Sequence, residues 1–274
     1  MAWRGTRLQK ALRLVRTFAT DPIVVTQSLP GEIRQWYQLR TGRECSVLTA
    51  DKAWKERFHM LLGAPWPCTQ DQQLNDVMTD IGALLEARGW GFGRDTYGWY
   101  ADGDSSFCRA VWCTVLHTRP EVVVETGVAH GVTSRIVLEA LAQNQSGHLW
   151  SVDLPFPFDH RLHGETGLVV TDACRSRWSY LEGSSKRRLP PLIAKLGRLE
   201  MFIHDSLHTA ENTTFEMEQA ASAMGSGGVM LVDDINSHRG FTIFAERHPG
   251  YRTIICPSAD RDGMFGIAVN IASA

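Results

Sequence analysis

Val124-Glu125-Thr126-Gly127-Val128-Ala129-His130-Gly131-Val132-Thr133-Ser134 decides the fold of this chain. The apolar run Glu121–Val124 stops at an acidic residue, passes two glycines spaced G-x-x-x-G, and enters the helix-periodic stretch Val132–Gln143. That order reads as buried strand, tight turn and helix. Gly127 and Gly131 allow sharp backbone angles and leave room for a ligand, and the helix start offers unpaired backbone N–H groups. The spacing is not the dinucleotide pattern G-x-G-x-x-G, and the lysine of a P-loop is missing, so a pyrophosphate cradle is disfavoured.

Outward from this turn the pattern repeats. A helix over Ser106–His117 precedes the first strand. Strands follow at His148–Val152, Leu199–Ile203 and Gly228–Val232, with helices near Lys186–Leu196, Thr213–Met224 and Phe241–His248. The segments Tyr251–Ile255 and Phe265–Val269 close the chain. Strands alternating with helices predict an α/β fold: a doubly wound, mostly parallel, Rossmann-like sheet buried on both faces, six of whose expected seven strands these segments supply. The expected division is an N-terminal, mostly helical cap over residues 1–104 and a catalytic domain over 105–274.

The N-terminal part is less regular. Residues 4–19 read as an amphipathic helix with a basic outer arc, a short helix falls around Asp51–Leu62, and a clearer one, capped by Thr69 or Asp71, ends at Gly89. Gly89–Tyr100, rich in glycine and aromatic residues, reads as a loop that either covers the core edge or acts as a substrate lid.

With 274 residues, 43% of them hydrophobic, the chain can bury a sizeable core. Its 28 basic and 30 acidic residues nearly cancel, which argues against nucleic acid as a partner. No apolar run approaches the ~20 residues of a membrane span, and the basic start lacks the apolar block of a secretory signal. The six cysteines form no C-x-x-C pair, so the reading is reduced thiols in a cytoplasmic protein, without a disulfide framework and without the ligand spacing of structural zinc.

Ligands of open α/β sheets bind beyond the carboxyl ends of the strands, where strand order reverses. The second strand ends at Asp153, whose carboxylate can accept ribose hydroxyls or cap a local turn. Ser184, in Glu182-Gly183-Ser184-Ser185, can contact an adenine or cap a helix. The next two strand ends read His204-Asp205-Ser206-Leu207-His208 and Val232-Asp233-Asp234. Carboxylates gathered at neighbouring strand ends repel one another unless a cation joins them. Oxygen ligands favour magnesium, manganese or calcium over zinc, which makes Asp205, Asp233 and Asp234 candidate metal ligands. His204 is expected as the last strand residue, facing away. His208, just past the strand, is placed to act as a general base; a turn histidine is the bland alternative.

Taken in order over residues 125–234, Glu125-x-Gly127-x-x-x-Gly131, Val152-Asp153, Gly183-Ser184 with Leu189-Pro190, Asp205-x-x-His208 and Gly227-Gly228 with Val232-Asp233-Asp234 resemble class I methyltransferases that use S-adenosylmethionine (SAM) and a metal. By motif the chain is similar to antibiotic and polysaccharide sugar O-methyltransferases and to the cephalosporin-hydroxylase-like group. The resemblance implies that Glu125, Thr126, Gly127, Gly131, Thr133, Ser134, Asp153 and Ser184 bind SAM. It also implies that Asp205 and His208 are catalytic and that Mg2+ or Mn2+ sits on Asp205, Asp233 and Asp234. The acceptor implied is a sugar hydroxyl of a small molecule or oligosaccharide, and the assembly a homodimer or larger homo-oligomer. A non-sugar phenol acceptor, or a non-catalytic SAM-binding protein, is the alternative. Ala129 departs from the pattern, since many relatives carry glycine there. Residues 1–104 lie outside the resemblance.

Overall fold

Alternation along each strand divides the core in two. Val123, Leu149, Met201, Ile203, Val229 and Leu231 bury on one face, and Val122, Val124, Val152, Phe202, Met230 and Val232 on the other. Both faces are apolar because both are covered by helices. The computed structural model describes residues 48–91, 93–97, 100–155 and 163–272, together with Val15 and Ile33. The helix expected over 4–19 lies, Val15 apart, outside these residues.

The first face carries helices α1 (Trp54–Leu61), α2 (Asp71–Ala87), α3 (Ser105–Thr118) and α4 (Val132–Asn144). The opposite face carries α5 (Ser185–Leu196), α6 (Ala210–Ala221) and α7 (Gly240–Arg247). Trp54 of α1 meets Phe265 edge-on, with ring centroids 5.3 Å apart. The N-cap of α2 is Gln70, with no side-chain cap bond, rather than Thr69 or Asp71.

Gly93–Tyr97 (β1) and Tyr100–Asp102 (β2) pair antiparallel as a separate two-stranded sheet. Part of the Gly89–Tyr100 segment therefore pairs as strand rather than running as open loop. The main sheet contains β3 (Val122–Thr126), β4 (His148–Asp153), β5 (Trp178–Glu182), β6 (Leu199–His204), β7 (Met224–Val232), β8 (Tyr251–Pro257) and β9 (Met264–Asn270). Its order is β5-β4-β3-β6-β7-β9-β8. The first five of these strands run parallel, whereas β9 is antiparallel to both β7 and β8, so the sheet is mixed. A short turn between β8 and β9 permits only this reversal; a parallel pair would need a long crossover. The edge strand β5 is absent from the sequence reading because Trp-Ser-Tyr-Leu-Glu is only half-buried and shows no apolar run.

Strand order reverses at β3, between β4 and β6. The ladder pairs Thr126 with His204 and His204 with Val232. One step further, Gly127, Asp205 and Asp233 therefore emerge side by side. At Gly127 (φ +87°) an added Cβ would lie 1.9 Å from the Asp205 carbonyl oxygen, so no other residue fits. Gly197 also has positive φ (+71°) but faces open space. Gly197→Ala should cost about 1–2 kcal/mol of backbone strain. Gly127→Ala should cost at least ~2 kcal/mol more, because two strand ends must separate. Urea unfolding of both variants checks the difference.

Candidate active site

The turn after β3 is built from strained backbone. Gly127, Ala129 and Gly131 all have positive φ, and a Cβ on Gly131 would approach the Gly167 Cα to 2.9 Å. Both glycines are thus required by the protein's own backbone before any ligand is considered. Thr133 and Ser134 are buried in the first turn of α4. The Ser134 hydroxyl donates to Glu125 Oε2 at 2.6 Å, and the Ser151 hydroxyl donates to the same oxygen at 2.7 Å. Glu125 Oε1 is buried without a partner. Burial, only partly offset by the two serines, pushes the Glu125 carboxyl up to about 8. Asp153 ends β4 and accepts from the backbone N–H groups of Val128, Ala129 and Leu154. Burial still raises its pKa to about 7. Ser184 occupies the N-cap of α5 but makes no side-chain cap bond.

Thr126 turns to the other face. Its hydroxyl donates to Glu216 of α6, which also pairs with His204 Nδ1 at 2.6 Å. Burial alone would raise Glu216, but His204 draws it down to about 2. His204 Nε2 lies 2.9 Å from the Thr213 hydroxyl, which also bonds His238 Nε2 at 3.2 Å. His204 thus faces away from the acids, as expected from strand alternation, and belongs to a buried polar network beneath them.

The acids converge above. Ligand atoms of Asp205, His208 and Asp233 all lie within 4.8 Å of one another. His208 Nε2 stands 3.5 Å from Asp205 Oδ1 and is buried without a hydrogen bond, while Nδ1 lies 3.2 Å from Asp234 Oδ2. Burial disfavours the imidazolium, yet Asp205 and Asp234 outweigh it and hold His208 at about 10. Asp234, in the left-handed region (φ +51°), does not join the three-residue group; it orients His208 and pairs with Arg261 at 3.3 Å. Arg261 also donates to Asp233 Oδ2, whereas Asp233 Oδ1 is buried and unpartnered. Burial and the neighbouring acids push Asp233 up, while Asp234 is drawn down by His208.

The family profile described as "Methyltransferase domain" matches residues 124–235, the span that holds this turn and these acids. The fold is that of the class I methyltransferases. Among similar solved structures is a cofactor-bound protein, Rv0187, from MTB (14% identity, TM-score 0.55, covering 76% of this chain and 99% of that one). Another is the O-methyltransferase TomG from Streptomyces achromogenes, involved in tomaymycin synthesis and solved in complex with SAM (12%, 0.53, 82% and 100%). A third is the methyltransferase PaMTH1 from Podospora anserina, bound to S-adenosylhomocysteine (11%, 0.53, 82% and 98%). No curated protein matches the sequence.

Sequence reasoning missed Arg261, Glu216, His238 and Asp104. Asp104 caps α3 by accepting from the N–H groups of Ser106 and Phe107, and its Oδ2 accepts from Ala259 and Asp260 at 2.8 Å each. Asp260 returns a bond to the Ser105 N–H at 2.7 Å. This reciprocal clamp fixes the β8–β9 turn that carries Arg261. A signal did exist: a strand pairing antiparallel with β7 must place its preceding turn beside Asp233. No described helix is long and apolar enough to cross a membrane.

Glu125 supplies a pH test. Because its folded pKa exceeds the ordinary carboxyl value, its contribution is most favourable below about pH 4.5 and is lost as pH rises toward 8. Glu125→Gln keeps one oxygen for both serines and removes that titration. Thermal melts from pH 5 to 8 should therefore decline less steeply in the variant than in the parent.

Proposed function

We propose that this chain is a SAM-dependent O-methyltransferase, assisted by a divalent metal, whose acceptor is a sugar hydroxyl of a saccharide or glycosylated metabolite. The observation that carries the proposal is the convergence of Asp205, His208 and Asp233 within 4.8 Å, one residue beyond the ladder that ends at Thr126. The SAM-bound and S-adenosylhomocysteine-bound proteins of the same fold support the donor.

The residues present fit both groups. Asp153 at the end of β4 would hold the ribose side of SAM, and the start of α4 would hold its polar tail. For the metal, the unpartnered Asp233 Oδ1 and the Asp205 carboxylate supply two hard oxygens, a set that suits magnesium or manganese completed by water and substrate. A divalent ion bound there would lower the pKa of an acceptor hydroxyl and could hold a vicinal diol.

The protein's own groups do the rest. Asp234 fixes the His208 ring through Nδ1, leaving Nε2 aimed at Asp205 to take the acceptor proton. A cation held by Asp205 and Asp233 would weaken their hold on the His208 proton and so favour the neutral imidazole. Arg261 keeps the acid pair together in the meantime. Methyl transfer is a displacement in which an oxyanion meets a sulfonium, so charge is lost and alignment dominates; oriented pairs reach effective molarities worth ~7–11 kcal/mol. The sugar assignment rests on the Asp-x-x-His pattern and on the aromatic segment. Trp90, at its start, packs on His130 of the glycine turn with ring centroids 4.9 Å apart, a contact that supports the lid reading.

Release of S-adenosylhomocysteine with candidate sugars tests the reading. His208→Ala should lower kcat by ~10²-fold or more while leaving the SAM Kd within about threefold. Chelator should abolish turnover, and Mg2+ or Mn2+ should restore it. Full activity of the variant would remove His208 as base, and undiminished turnover in chelator would remove the metal.

A further inference from the structure

Far from the acids in sequence, four side chains meet where α1, the segment after it and α3 pack together. The ligand atoms of His59, Cys68, Cys113 and His117 all lie within 4.8 Å of one another. The Cys113 and Cys68 sulfurs are 3.9 Å apart, and Cys68 Sγ lies 3.5 Å from His117 Nε2. Tetrahedral zinc with Zn–S of about 2.3 Å and Zn–N of about 2.0–2.1 Å requires S···S near ~3.8 Å and S···N near ~3.6 Å. The two observed separations match those edges and are nearly twice the length of an S–S bond.

The histidine supplies an independent observation. His59 is 2% exposed, and its Nδ1 lies 2.7 Å from the Lys55 carbonyl oxygen. That contact places the proton on Nδ1 and the lone pair on Nε2, the outer-sphere arrangement of metal-bound histidines. Nε2 is buried and has no hydrogen-bond partner. A buried lone pair without a partner is costly unless an ion takes it. Cys113 and His117 are four residues apart and share one face of α3.

We propose that His59, Cys68, Cys113 and His117 form a structural zinc site. Two sulfurs and two imidazoles are a soft, closed set that selects zinc and leaves no open position for substrate, unlike the oxygen set of Asp205 and Asp233. The ion ties the last turn of α1 and Cys68 to α3, whose other end carries the Asp104 clamp. It closes a long segment that includes α2 and the β1–β2 hairpin. The sequence reading discarded zinc because it sought a C-x-x-C pair; here the ligands come in two separated pairs, H-x8-C and C-x3-H, joined only by the fold.

The test is metal analysis of the full chain, isolated under reducing conditions from zinc-supplemented cells. One zinc per chain is expected, retained in Asp205→Asn and lost in the Cys68→Ser, Cys113→Ser double variant, whose Tm should fall by about 5 °C or more. Cobalt exchanged into the parent protein should show tetrahedral d–d bands and a thiolate-to-cobalt charge-transfer band. That spectrum decides the matter even if the double variant fails to fold. Absence of zinc from the parent, zinc retained by the double variant, a cobalt spectrum without thiolate charge transfer, or a Cys68–Cys113 disulfide in the fresh protein would each overturn the proposal.

Discussion

The close passage of Gly127 beneath the Asp205 carbonyl is the constraint on which the domain depends. A β-carbon at position 127 would overlap that oxygen, so the turn after β3 and the end of β6 can meet only through a glycine. Their meeting places a turn with positive φ, suited to a nucleoside ligand, directly beside the acids at the ends of β6 and β7. Glycine turn and acid cluster are therefore two consequences of one ladder register. A slip of one residue would turn Asp205 and Asp233 to the other face of the sheet.

Electrostatics explains why the cluster is supported from below and from the side. Asp205, Asp233 and Asp234 share a small volume with the His208 imidazole and the Arg261 guanidinium. Removing such charges from water is expensive, and each anion is tolerated because a cation or hydrogen-bond donor faces it. Beneath, Glu216 and His204 form a second buried pair between the sheet and α6, 2.6 Å apart. Arg261 arrives on a turn held by Asp104, so a helix cap on one side of the sheet indirectly positions a counter-ion at the strand ends.

Much of this was legible in the chain itself. The β3 turn, the alternating strands and the acids at 205, 233 and 234 stand out because local sequence determines them: apolar runs, glycine spacing and strand-end position. That His204 turns away from the acids followed from the two-residue period alone. What escaped was nonlocal. Arg261 and Asp260 look like an ordinary polar turn until β9 is known to pair with β7. The edge strand β5 is too polar to announce itself. Asp234 reads as equivalent to Asp233, yet its left-handed backbone redirects it toward His208. His59, Cys68, Cys113 and His117 have no linear signature, since only tertiary packing joins them.

The central claim is that a hard cation and a sulfonium donor occupy adjoining positions around Gly127. A crystal of the full chain grown with Mn2+ and S-adenosylhomocysteine, with anomalous scattering recorded at the manganese edge, tests it directly. The account predicts a single strong manganese peak touching the carboxylates of Asp205 and Asp233, with the nucleoside over Asp153. Manganese elsewhere, or a bound nucleoside with Arg261 still closed on Asp233 and no ion beside it, would contradict it.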